Sequence, residues 1–227
     1  GNTISNSGYT SRNIAIYVDL SPYNGAKELC FDGNILSPEL KVDKDHVPSG
    51  YGSGIELDLP ETTGLSIDNN VMGIYGFTGA PTAGCGISVS FLDCQAHGVS
   101  ISGNVMHLEH VAHDGIRIRT GATRSMDIKT MTISDNRISA VADDEVYCGI
   151  YWVGEDGAGD YSGIIEGVQV IDNTITDFLI GVWVVQSDNG MAHNELYLKS
   201  CAMDGNAVTD CKYNGLRWTC GGVGGNG

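Results

Sequence analysis

The chain has 227 residues, 41% of them hydrophobic, with 32 Gly and only 5 Pro. That fits one globular domain and excludes collagen, a Pro/Gly linker and wholesale disorder. With 12 basic against 28 acidic residues the net charge is −16, the wrong sign for a general nucleic-acid binder or for docking on an anionic membrane. No apolar run reaches the ~18 residues of a membrane span, and no basic-then-apolar leader opens the sequence, so no membrane insertion is expected.

A six-residue string ending in Asn recurs along the chain. In order it is Leu29–Asn34 (LCFDGN), Leu65–Asn70 (LSIDNN), Val99–Asn104 (VSISGN), Met131–Asn136 (MTISDN), Val168–Asn173 (VQVIDN) and Cys201–Asn206 (CAMDGN). Asn2 followed by Thr3 and Ile4 reads as the tail of a further copy, and successive Asn residues lie 32, 36, 34, 32, 37 and 33 apart. Apolar residues two apart are the period of a strand. The residue before each Asn is Gly, Asn or Asp, the types that tolerate φ > 0, so a left-handed corner is expected there. An Asn at one fixed register predicts an inward column whose amides satisfy one another from coil to coil.

A second strand follows in each unit, opened by Gly. The copies are Gly54–Leu57, Gly86–Val89, Gly115–Ile118, Gly149–Trp152, Gly181–Val184 and Gly215–Trp218, with Asn13–Ile16 as the first. Variable, polar, Gly-rich segments lie between the strands. A helical solenoid would need a 3.6-residue period, which is absent, and leucine-rich repeats would need their own consensus and shorter units. The pattern resembles the right-handed parallel β-helix repeat across nearly the whole chain. That scaffold is shared by pectate and other polysaccharide lyases, several glycoside hydrolases, mannuronan epimerases and phage tailspikes. The resemblance implies an all-β solenoid of about seven coils over residues 1–220 with a Gly-rich tail at 221–227, read as a fragment or one domain of a longer chain. Open sheet edges at its ends would call for partners, and tailspikes of this kind imply a homotrimer.

Stacked coils turn register into spatial columns. The residue two past the opening Gly should face outward, giving Ala15, Glu56, Ser88, Arg117, Tyr151, Trp183 and Arg217, with Arg119 beside Arg117. Aromatic rings offer flat surfaces to sugars, and Arg forks offer bidentate partners to carboxylates and phosphates. The same composition also marks subunit interfaces, and local packing under a loop is a third reading. Arg117, Arg119, Tyr151, Trp183 and Arg217 are therefore candidate substrate-binding residues.

Seven residues past the Gly, two adjacent coils carry Asp156 and Asp188, with Glu155 and Asp160 in the same loop. Two carboxyls ~5–5.5 Å apart suit a retaining glycosidase and ~6.5–9.5 Å an inverting one. Asp156, Asp188 and Glu155 are the candidate catalytic residues. His107, Glu109, His110, His113 and Asp114 form another cluster, whose spacing of three suggests a helical turn and a metal reading without a known ligand motif. No metal site is assigned. Asp143, Asp144 and Glu145 are considered for Ca²⁺, with Glu145 in register with His113, and no other cofactor is implied. Neither a lyase signature around Arg117, Arg119 and Arg124 nor the epimerase Asp-Pro-His motif is present. Seven Cys leave at least one thiol unpaired; Cys85–Cys94 and Cys211–Cys220 are the candidate disulfides.

The leading expectation is a carbohydrate-active β-helix of tailspike or depolymerase type, extracellular or on a virion surface. It would bind a polysaccharide along the second-strand face, with activity leaning towards a polysaccharide-degrading glycosidase or lyase. The rival is a non-catalytic structural or adhesive β-helix, and a free-standing lyase or epimerase comes third.

Overall fold

The protein is a parallel β-solenoid, seen in a computed structural model that describes residues 1–8, 12–40, 51–75, 84–92, 95–110, 113–120, 126–141, 147–154, 163–185 and 196–219. Among the described residues every regular element is a strand. The strands form three seven-stranded sheets in which each strand pairs in parallel with its counterparts in the neighbouring units. Sheet A contains Thr3–Gly8, Ile35–Leu40, Val71–Tyr75, Val105–Glu109, Arg137–Ala140, Thr174–Thr176 and Ala207–Thr209. Sheet B contains Arg12–Asp19, Tyr51–Leu59, Ile87–Phe91, Ile116–Thr120, Cys148–Gly154, Ile180–Val185 and Asn214–Thr219. Sheet C contains Ala26–Asp32, Thr62–Asp68, Gln95–Ser102, Met126–Ser134, Gly163–Ile171, Leu196–Lys199 and Ala202–Asp204. The Asn strings end the strands of sheet C, and the Gly-opened strands are sheet B. Sheet A, immediately after each Asn, is a third sheet that the two-strand reading of the repeat passes over. Its strands fall as short as three residues, too short for alternation to stand out.

The interior is one hydrophobic core fed by all three sheets, with Leu36, Met72, Met106, Ile138 and Ile175 from sheet A, Ile55, Ile87, Ile116 and Ile150 from sheet B, and Leu65, Val99, Met131 and Val168 from sheet C. Register keeps like beside like: Ile67, Ile101 and Ile133 stack in consecutive coils at essentially zero exposure.

The corner between sheets C and A behaves as the residue types require. Gly33, Asn69, Gly103, Asp135, Asp172 and Gly205 all have φ between 56° and 66°. Each is followed by the recurrent Asn. Asn34, Asn70, Asn104, Asn136 and Asn173 are at most 4% exposed, while Asn206 is half-buried. The ladder is fully satisfied. Asn104 Nδ2 donates to Asn136 Oδ1 at 2.9 Å and to the Ile67 carbonyl at 2.8 Å, and the Asn104 backbone N–H donates to the same Oδ1 at 3.1 Å. The pattern repeats from Asn2, whose Nδ2 donates to Asn34 Oδ1 at 3.1 Å, to Asn206, the acceptor of Asn173. Each amide from Asn34 to Asn173 thus binds the coil before and the coil after it, which removes the cost of burying a polar group.

A second line of left-handed residues lies inside sheet C, six before each Asn: Glu28, Gly64, Gly98, Thr130, Gly167 and Ser200, with φ between 54° and 76°. Here the sequence carries no consensus. Glu28, Thr130 and Ser200 adopt the conformation because the flanking register imposes it, at the steric cost that Gly avoids.

The Gly that opens each sheet B strand has a different reason. A Cβ on Gly115 would lie 2.5 Å from the Gly149 carbonyl of the next coil and closer still to Ile138 Cγ2 of sheet A. The same clash repeats at Gly54, Gly86, Gly149 and Gly181. The corner is so tight that the next coil's backbone carbonyl and one core side chain occupy the place of a methyl group.

Candidate functional site

Sheet B presents its outer face as the expected column, with one correction. Glu56, Ser88, Arg117, Tyr151, Trp183 and Arg217 pair strand to strand without a slip. The first member is Tyr17, not Ala15, because Ile16 pairs with Ile55 and carries the register two residues further on. The first strand has no opening Gly to fix the count, so the string Asn13–Ile16 misleads.

Along this column Tyr17 is 46% exposed, the next two members are covered, and the face opens again from Arg117 onward. Glu56 and Ser88 are buried at 7% and 3%, and the strand Ile87–Phe91 is buried on both faces. Arg117, Tyr151 and Trp183 are half-buried, and Arg217 and Arg119 are exposed. The sequence treats all seven positions alike; the structure covers Glu56 and Ser88 and leaves the run from Arg117 to Arg217 open.

In the open part the side chains stack. The Tyr151 and Trp183 rings lie with centroids 5.3 Å apart at 43°. Tyr147, 40% exposed, closes a triangle with centroids 6.2 Å from Tyr151 and 5.8 Å from Trp183. A guanidinium sits at each end: Arg117 Cζ is 5.7 Å from the Tyr151 centroid, and Arg217 Cζ is 4.4 Å from that of Trp183. Arg and aromatic π-faces attract in this geometry. Tyr147 escaped the sequence reading, because it precedes the opening Gly149 and belongs to no repeated string.

Arg117 is held from behind. Its Nε–H donates to Asp114 Oδ2 at 2.6 Å, and Asp114 is completely buried. Asp114 Oδ1 accepts the Cys148 backbone N–H of the next coil at 3.0 Å. Ser53 performs the same structural task two coils earlier, its Oγ accepting the Cys85 N–H at 3.2 Å. Asp114 therefore closes a backbone gap with one oxygen and aims Arg117 with the other. Burial pushes its carboxyl upward, and the Arg117 charge and the Cys148 N–H oppose that rise. Arg117 Nη2 lies 2.9 Å from His113 Nδ1. A guanidinium can only donate, so Nδ1 accepts and a neutral His113 carries its proton on Nε2. Burial and the neighbouring Arg117 and Arg119 charges lower the affinity of His113 for a second proton. Burial, with Asp114 next, raises the Tyr151 hydroxyl above its ordinary range, so it stays protonated at neutral pH.

The helical turn expected at His107, His110 and His113 does not form. Val105–Glu109 is a strand with alternating burial, and His110 follows it with φ 55°. His107 Nδ1 pairs with Ser139 Oγ of the next coil at 3.0 Å, while His113 belongs to the Arg117 cluster. Among the described residues no three His, Cys, Asp or Glu side chains converge to hold a metal. Asp156, Asp188 and Glu155, with Asp160, Arg124, Asp143, Asp144 and Glu145, lie outside the described residues. The disulfides read from spacing are not made: Cys85 and Cys211 are free thiols. Cys85 faces inward beneath sheet B with no exposure, and burial pushes its thiol up to about 12. Cys148 is likewise buried and its thiol pushed up, so neither is a poised nucleophile.

No protein-family model, curated protein or solved structure matches the chain.

Proposed function

We propose that the protein is a carbohydrate-active β-helix that binds a surface or extracellular polysaccharide along the outer face of sheet B. The observation that carries this reading is the unbroken Arg117–Tyr151–Trp183–Arg217 stack, with Tyr147 beside it. Half-buried, tilted aromatic rings on a rigid sheet offer apolar platforms at fixed spacing, and sugar rings have apolar faces of matching size. A rigid scaffold lowers the ordering cost of binding. On this reading the tailspike or depolymerase role, an extracellular or virion location and a cleaving function for Asp156, Asp188 and Glu155 are extensions of the same proposal. The test is a glycan screen on the intact chain. Trp183→Ala should abolish retention of the bound glycan while leaving the melting temperature unchanged. Undiminished binding, or Trp183 buried against a second subunit, would overturn the assignment of this face.

The rival reading takes the same sheet B stripe as an inter-subunit contact, and a second surface offers itself for assembly. Ile35, Val71 and Val105 sit in direct register on the outside of sheet A and are 52%, 48% and 44% exposed. Three β-branched residues in one stripe suit a contact within the proposed homotrimer.

A further inference from the structure

Resting on the glycan reading of sheet B, we infer that the polysaccharide is acidic, with carboxylates spaced along it, and that Arg217 is the residue that selects for them. Three features of the molecule converge on this. The first is charge placement. The chain has six Arg among 12 basic residues in a total of −16, and Arg117, Arg119 and Arg217 gather on the outer face of sheet B. An acidic protein that concentrates its guanidinium groups beside its aromatic platform has built a local field opposite to its overall one.

The second is the division of labour between the two ends of the stack. Arg117 is half-buried and committed to Asp114 and His113, so its position is fixed and its charge partly offset. Arg217 is exposed, with its Cζ 4.4 Å from the Trp183 ring centroid. Contact with the ring restrains the guanidinium, and its rigid fork of N–H donors is the group that meets a carboxylate bidentately. The two Arg are three strand spacings apart, about 14 Å along the solenoid axis. A chain lying along that axis would cross Tyr151 and Trp183 between them.

The third is the selection against denser polyanions. A net charge of −16 disfavours a heavily sulfated or phosphorylated polymer more strongly than a sparsely charged one. One carboxylate per sugar places few charges against that field.

The test uses the intact chain and three probes, polygalacturonate, neutral dextran and heparin, titrated calorimetrically at low and physiological salt. The expected result is binding of polygalacturonate in preference to the other two. Arg217→Ala should weaken it at least tenfold, Arg217→Lys should recover only part because it keeps the charge and loses the fork, and added salt should narrow the difference. Equal binding of dextran, or tighter binding of heparin, would overturn the carboxylate assignment while the glycan reading stands, provided Trp183→Ala still abolishes it. An Arg217→Ala variant indistinguishable from wild type on polygalacturonate would also overturn it. Failure of all three probes, or indifference to Trp183→Ala, would remove the glycan reading itself and this inference with it. Arg217 is an exposed surface residue, so an unchanged thermal melt of its variants separates these outcomes from misfolding.

Discussion

Two columns run along this solenoid, one inside and one outside, and they follow opposite rules. The Asn column at the corner of sheets C and A repeats one residue in every unit, and each member satisfies the next through the same bonds. The outer column of sheet B changes residue in every coil, from Tyr17 and Glu56 through Arg117 to Trp183 and Arg217. Where the coil geometry alone sets the requirement, each coil has the same requirement and the same residue meets it. Where residues vary along a column held in register, the scaffold imposes no choice, and something outside the scaffold does. Identity along a column marks what holds the fold; variation in large, chemically demanding side chains marks what the fold presents.

The largest effect should come from breaking the uniform column in its middle. Asn136→Leu deprives the Asn104 backbone N–H and Asn104 Nδ2 of their acceptor and the Ile101 carbonyl of a donor, all in the buried interior. At ~1–3 kcal/mol for each stranded buried group, the loss should exceed about 3 kcal/mol. Urea denaturation of the variant against wild type measures it. A loss below about 1 kcal/mol would mean the ladder is decoration, and the contrast between the two columns would lose its physical basis.

The comparison also explains what could be read in the sequence. The Asn corner, the left-handed residue before it and the opening Gly were legible because each answers a constraint that recurs identically: a buried amide row, a positive φ, a Cβ with no room. Tyr151 and Trp183 were legible as neighbours because the Gly fixes their register. Sheet A was not, since strands such as Thr174–Thr176 are shorter than the pattern needed to reveal them. The role of Asp114 was hidden among nearby His residues, although it stands in a column with Ser53, Cys85 and Cys148 where a charge is out of place. Its partner Arg117 lies three positions further on, in the strand that follows, but the complete burial of Asp114 is a property of the stacked coils and not of the string.

The line of kinks inside sheet C sharpens the comparison, because it is uniform in conformation and mixed in residue. Thr130 holds φ 58° with a β-branched side chain, between coils that place Gly98 and Gly167 at the same point. The left-handed conformation costs roughly 1–2 kcal/mol for an L-residue with a Cβ. Gly returns roughly 0.5–1 kcal/mol of that as unfolded-state entropy. Thr130→Gly should therefore stabilise the protein by about 0.5–1 kcal/mol, seen as a higher denaturation midpoint at unchanged slope. A destabilised variant would show that Thr130 contributes a contact worth more than its strain.

The smallest effect lies on the variable column and is read through pH. Burial, with Arg117 and Arg119 beside it, sets the folded pKa of His113 below its ordinary 6.5. For a base whose pKa falls on folding, the stabilisation it contributes is complete above 6.5 and is lost as pH drops through the folded value. The structural cause is visible in the hydrogen bond: a protonated imidazole has no acceptor at Nδ1, so acid replaces the Arg117 Nη2–H contact with two facing cations. Gln at this position keeps an acceptor oxygen at every pH. Between pH 7 and pH 5 wild type should lose more stability than His113→Gln, and the difference between their two pH profiles isolates His113 from the carboxylates that both share. Parallel profiles would show that the His113 contact does not contribute to holding Arg117. In that case the buried Asp114 carboxylate, not the imidazole, is what aims Arg117 from behind, and His113 is a bystander to the face that Tyr151 and Trp183 present.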